Sequence, residues 1–445
     1  MWDWNRNKGF TLNPLCLELW KRIHFQKDII CTESDTEMDD DMEWTSTVWD
    51  YARGLHLSVA GQSALLILVL VIWSLWKYKR ASLEIYNTDG ILTFHHYKTS
   101  ASPETIDLDP KRYPRTEPLK DFHLASSETP AFRPFKPKYH LTMGLESLDP
   151  SDLLIFDRTY TERIALRRSL LQKYPDEIVG VTNPENARIQ LAVRELYGYL
   201  FEIYLPSRYP TIFKTCYDQH GSTSVENLIT HKIMSTGKEK PKSLHTMLQI
   251  IAENIDEDFF ILLPHHQSNP DETYYHLEAY SACFPSGFKP RDKMGKSLAG
   301  IHGPVPGYKE KLQKSMDRFF SRLEAGKCVK RVNWSVTVDE ELFSNFDKSS
   351  PAMEGKLDRL DVQDLDLDKT FLRCERQTLH RLPTSGAIVF AFHTYLDRIE
   401  DIKKEGSGED LALAIDGLEE GSVPDMFKYK NGEKWAGAIR EFLRQ

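Results

Sequence analysis

The sequence predicts an α+β domain, helices packed on a mainly antiparallel sheet, carried behind one membrane-spanning helix. Three observations predict it. Two amphipathic helical stripes stand far apart in the chain, four runs are rich in aromatic and β-branched residues, and no regular βαβ rhythm links them. The 445 residues carry 57 Lys+Arg against 66 Asp+Glu, a net charge of −9, which argues against a general nucleic-acid binder. With 40% hydrophobic and 11% aromatic residues, the chain is not wholly disordered. Its six cysteines are scattered without a CxxC pair, so reduced thiols in a cytosolic domain are expected rather than a disulfide or cysteine–zinc framework.

Taken in order, residues 1–56 form an acidic tail, with carboxylates recurring from Glu33 to Glu43, and such a run is expected to be solvated. From Leu57 to Trp76 no residue is charged. A helix of that length rises about 30 Å, the thickness of the hydrocarbon layer. Lys77, Lys79 and Arg80 follow it, against Arg53 alone on the other flank. The positive-inside bias therefore predicts a single-pass anchor in the lipid bilayer, with everything after Arg80 in the cytosol and the endoplasmic reticulum as the expected membrane. Residues 77–130, punctuated by Pro103, Pro110, Pro114, Pro118 and Pro130, read as a stem or linker with a hairpin near Asn87–Gly90.

The working domain is expected over residues 131–400, followed by a helical extension at 401–445. Ala187 to Tyr204 places Ile189, Val193, Leu196, Leu200 and Ile203 on one helical face, and Pro206 is expected to close it. Lys309 to Leu323 carries a second stripe through Leu312, Met316, Phe319, Phe320 and Leu323. Strands are expected at Phe259–Leu263, Tyr274–Ala282, Val329–Val338 and Ala387–Phe392.

No GxSxG elbow, HExxH helix, P-loop or GxGxxG is present. Asp364-Leu-Asp366-Leu-Asp368 resembles the metal-holding acidic motif of lumenal glycosyltransferases, but it extends an acidic run and the charge bias puts the domain in the cytosol; a solvated loop is the better reading. The sequon at Asn333 lies inside an expected strand and is expected to be bare. His265 and His266 precede a polar loop and are expected to face solvent.

Several blocks occur in one order: Phe132–Phe135, Leu141–Leu145, Leu154–Asp157, Arg208–Pro210, Ser281–Ser286, Ile301–Gly307 and Val332–Val336, then Arg373-Cys-Glu-Arg-Gln-Thr-Leu379 running on through Ser385-Gly-Ala387 to Thr394-Tyr395. Together they resemble the haem-dependent oxidative N-demethylase alpha-subunit-like family, in its fungal, membrane-anchored form. The resemblance runs from Phe132 to Tyr395. It implies a PAS-like core with haem b, whose iron activates O2 to oxidise an amine N-methyl group and release formaldehyde. It also implies electrons from a separate flavin and iron–sulfur protein or a membrane reductase, since the chain holds neither a Rossmann fingerprint nor a four-cysteine cluster. The substrate implied is a small-molecule amine or amine-bearing metabolite.

On that context His302 is the expected axial ligand, since a neutral imidazole suits iron and the flanking Gly303-Pro304-Val305-Pro306-Gly307 restricts the backbone. His393 is the reserve ligand, and His380 is assigned a strand-edge or surface role. Arg373 and Arg376 are candidates to pair with haem propionates, and Glu375 to hold a cationic amine or relay protons. A structural Arg–Glu network fits those residues equally well. Strand alternation puts Arg373, Glu375 and Gln377 on one face and Arg376 on the other. Arg331, Asn333 and Trp334 are candidates to line the pocket, with core packing the competing role. Tyr308 and Tyr395 are candidates to donate hydrogen bonds near bound oxygen. A haem-binding sensor or carrier is the alternative function, but nothing after Tyr395 resembles an output domain.

Overall fold

The computed structural model describes residues 108–266, 273–338, 342–343 and 359–445. The predicted tail, anchor and Asn87–Gly90 hairpin lie outside those residues. Among the described residues no helix is long and apolar enough to cross a membrane.

The architecture is α+β, as expected, around a seven-stranded antiparallel sheet. Its strands are β1 (Glu146–Leu148), β2 (Val179–Val181), β6 (Asp258–His266), β7 (Thr273–Ser281), β8 (Cys328–Thr337), β9 (Phe371–Arg381) and β10 (Ile388–Arg398), in spatial order β1-β8-β9-β10-β6-β7-β2. A separate three-stranded sheet, β3 (Phe213–Tyr217), β4 (Thr223–Asn227) and β5 (Lys232–Ser235), was not foreseen from sequence, because its strands are short and mostly polar.

Register fixes the two faces of the main sheet. Trp334, Cys374 and Tyr395 form one cross-strand row, and Asn333, Glu375 and Thr394 form the next. Successive side chains alternate, so these rows point to opposite faces. Against the first face pack α1 (Tyr160–Lys173), α2 (Ala187–Gly198) and α3 (Leu244–Asn254), burying Ile164, Val193, Leu248 and Ile251 over Phe259, Ile261 and Ala391. Asn186 caps α2, its Oδ1 accepting from the Arg188 amide at 2.9 Å, and Ser243 caps α3.

Against the second face lie α4 (Leu298–His302), a single turn at Tyr308–Lys311 and α5 (Gln313–Arg322). Tyr308, Met316 and Phe320 bury there over Phe260, Leu277, Leu379 and Phe392. The predicted helix over Lys309–Leu323 is thus two pieces joined at Leu312. The predicted helix through Tyr204 passes from α-helix into a π-helical segment at Tyr199–Tyr204 and continues as Leu205–Arg208. Pro206 does not close it, because it falls in the first turn of that last piece, where no amide donor is needed.

The chain ends in α6 (Ile399–Lys404), α7 (Gly408–Glu419), α8 (Asp425–Tyr429) and α9 (Gly432–Arg444). Ile402, Leu411, Ile415, Trp435 and Ile439 are buried with Trp334, Leu372, Cys374 and Tyr395 in one apolar cluster. Each contributes about 2 kcal/mol relative to exposure. The segment expected to be linker also joins the domain from Leu108 onward. Tyr113 is buried against Tyr199, and its hydroxyl donates to Glu195 Oε1 at 2.8 Å.

Candidate functional site

α4 starts at Ser297, whose Oγ accepts from the Gly300 amide at 3.3 Å, and ends at His302. The imidazole is partly buried. Its Nδ1 lies 2.8 Å from the Leu298 carbonyl oxygen. A carbonyl only accepts, so Nδ1 carries the proton and Nε2 presents a lone pair. The ring stacks on Tyr308, centroids 4.8 Å apart and planes 13° apart. Burial lowers the His302 pKa against the pull of the Leu298 carbonyl, and the charges of Lys293 and Arg331 lower it further. The imidazole is held neutral, the form that binds a metal.

Arg331 and Asn333 on β8 stand opposite Gln377 and Glu375 on β9, on the His302 face of the sheet. Arg331 Nε is buried without a hydrogen-bond partner, and burial lowers the guanidinium pKa while Tyr139 and Glu375 oppose the shift. Glu375 Oε2 accepts from Gln377 Nε2 at 3.1 Å. Among the described residues the outer edge of β8 beyond Lys330 has no strand partner, and Lys430, just after α8, covers it. Its Nζ donates to Asn333 Oδ1 at 3.2 Å and to the Trp334 carbonyl. Burial pulls the Lys430 pKa down to about 8, with Glu375 opposing. The loop after His302 turns at Gly307, φ +71°, where an added Cβ would lie 3.0 Å from Val423 and 3.3 Å from Leu141. The predicted C-terminal extension therefore walls the site.

The structure gathers His302, Tyr308, Arg331, Asn333 and Glu375 on one face. It places the other candidates elsewhere. Trp334 is core on the opposite face, edge-on to Phe135. Arg376 is buried there too and donates to the backbone oxygens of Asp152 and Leu153, the latter at 3.2 Å. Arg373 lies on the His302 face by alternation, but its Nη2 is spent on the Phe284 carbonyl at 2.7 Å. Tyr395 is buried on the far face and stacks on His393 with centroids 4.3 Å apart. The Tyr308 hydroxyl points to Met316 Sδ at 3.7 Å, so its ring braces His302. His380, expected at a strand edge or surface, is paired on both sides within the sheet and buried beside Tyr199 with neither ring nitrogen bonded. A cavity of about 330 Å³ beside α5 is lined by Leu148, Phe319, Leu323 and Val329 and holds none of the candidates.

A buried ionic cluster escaped the sequence reading, although the Asp256-Glu257-Asp258 run was its signal. Arg167, fully buried, donates to Asp258 Oδ1 at 2.8 Å and to the Glu257 carbonyl at 2.7 Å. His393 Nε2 lies 3.4 Å from Asp256 Oδ2. Neither Glu257 carboxylate oxygen has a hydrogen-bond partner, and burial raises its pKa well above the ordinary range, against Arg376. His393 is lowered to about 3 by burial, with Asp256 opposing. The reserve ligand is thus enclosed by charged side chains.

With this geometry in view, the sequence profile described as haem-dependent oxidative N-demethylase, alpha subunit-like, matches residues 144–440, more than half of the chain. The chain belongs to that family. Membership in this alpha-subunit-like family places it among oxidoreductases and points to haem as its cofactor. The matched span runs past Tyr395 through α6, α7 and α8 into α9, so these helices are family architecture and not an addition to it.

The donor set fits that cofactor. A histidine that would hold haem iron must offer a fixed, neutral ring nitrogen, which His302 does. Propionates need partly desolvated cations, and Arg331 with its unbonded Nε and Lys430 meet that need.

Proposed function

We propose that the domain binds haem b through His302 Nε2, with Arg331 and Lys430 facing the propionates, on a PAS-like core. The observation that carries this reading is the commitment of Nδ1 to the Leu298 carbonyl, which leaves Nε2 as the ligand atom. Bound haem would supply O2 activation for oxidation of an amine N-methyl group. The protein's own residues hold and orient. Tyr308 fixes the imidazole plane, and Glu375 holds a cationic amine or passes protons toward the His302 face. Residues 57–76 anchor the domain at the cytosolic side of a membrane, near a separate reductase that supplies the electrons.

The test is the optical and low-temperature EPR spectrum of the haem-supplemented protein beside His302→Ala, with an amine panel assayed for formaldehyde. The wild type is expected to give a ligated-haem spectrum and formaldehyde with at least one N-methyl amine. His302→Ala loses the ligated signal while remaining folded, and added imidazole restores it. An unchanged spectrum in the variant overturns the ligand assignment. Haem without formaldehyde across the panel favours a sensor or carrier.

A further inference from the structure

Outside this site, His265 on β6 and His276 and Glu278 on β7 come together. Their ligating atoms all lie within 4.8 Å of one another, and among the described residues they form the one such group of three His, Cys, Asp or Glu side chains. The sheet builds the convergence. Ile261 pairs with Ala279 and Leu262 with Leu277, so Glu278 is the extra residue of a β-bulge. A bulge re-aims its side chain. Here Glu278 Oε1 lies 2.7 Å from His265 Nε2, and the two imidazoles stack with centroids 4.2 Å apart.

We propose that His265, His276 and Glu278 form a binding site for a first-row divalent transition cation, Zn2+ being the best match. Two imidazoles and one carboxylate are a zinc donor set, whereas Mg2+ and Ca2+ take oxygen ligands. Two of the three ligands are braced from outside. His276 Nδ1 is 3.0 Å from the Gly295 carbonyl oxygen, which keeps Nε2 for the metal. Glu278 Oε2 accepts from the Thr182 hydroxyl, leaving Oε1 as the ligand atom. Such outer partners orient and tune metal ligands. Tetrahedral Zn2+ needs ligand atoms about 3.4 Å apart. His265, whose side chain is 44% exposed, has the freedom to swing from its hydrogen bond onto the ion.

The position has a structural consequence. The Leu277 amide donates to the Lys296 carbonyl at 3.1 Å, the Gly295 amide to the Leu277 carbonyl at 2.8 Å, and His276 bridges to Ser297, the cap of α4. A cation held by His276 fastens the segment that leads into the His302 helix.

The experiment is equilibrium dialysis of the chelator-stripped full-length protein against micromolar Zn2+, with zinc and iron counted separately by elemental analysis. One zinc per chain is expected. His276→Ala and Glu278→Gln are expected to weaken zinc binding at least tenfold, and Thr182→Val to weaken it with all three ligands intact. His265→Gln changes the most exposed ligand and serves if the other variants fail to fold. Substoichiometric zinc in the wild type, or uptake unchanged in the folded variants, overturns the proposal and leaves a hydrogen-bonded His–Glu pair. The separate iron count keeps this outcome distinct from failure of the haem reading.

Discussion

His380 has neither ring nitrogen bonded, and burial lowers its pKa from 6.5 to about 4. Between those values the unfolded chain takes up a proton that the folded chain refuses, so stability falls as pH drops through the window. His380→Leu removes that slope. Relative to wild type it is expected to gain about 2 kcal/mol at about pH 5 and little at about pH 7.5, beyond any constant packing effect. Urea unfolding at the two pH values checks this; a parallel loss in both proteins would show that His380 does not set the slope. The burial of this side chain was not legible in the sequence, because Tyr199 comes from a distant helix. Strand alternation did predict that Glu375 and Arg376 face opposite ways, and the β8–β9–β10 register bears that out. Which arginines are spent on the backbone was hidden, since their acceptors lie at Asp152, Leu153 and Phe284.

At the scale of elements, the family-like run from Arg373 to Ala387 is chiefly a device for building the β9–β10 hairpin. Arg381 donates to the carbonyls of Phe320 and Gly386, and buried Glu195 accepts the amides of Thr384 at 2.7 Å and Ser385 at 2.6 Å. The sequence displayed this run clearly but not its role, because Glu195 and Phe320 are remote in the chain. A second contact governs the site wall. A Cβ added at Gly417 would lie 2.5 Å from the Pro137 carbonyl oxygen, and the Gly417 carbonyl accepts the Tyr139 amide at 3.1 Å. Gly417→Ala is expected to push α7 off residues 137–139 and cost about 2 kcal/mol, as overpacking does. Thermal unfolding measures it. A melting temperature equal to wild type would mean that the segment yields without strain.

At the scale of the whole molecule, residues on both sides of the 131–400 span pack against it. Proline spacing marks residues 77–130 as a linker, yet Tyr113 reaches Glu195; a helical extension at 401–445 is expected from sequence, but its partners Trp334 and Cys374 are not legible there. A chain beginning at residue 108 is therefore expected to fold, one beginning at residue 119 to be less stable, and one ending at Glu400 to lack a fixed tertiary structure. Near-ultraviolet circular dichroism and thermal unfolding distinguish the three, and a cooperative transition in the chain ending at Glu400 would refute the expectation. Lys430 adds a consequence for the order of assembly. It covers the outer edge of β8 at Trp334 from 96 residues further along the chain. Closing so long a loop costs chain entropy, so this contact is made after the sheet's own hairpins have formed.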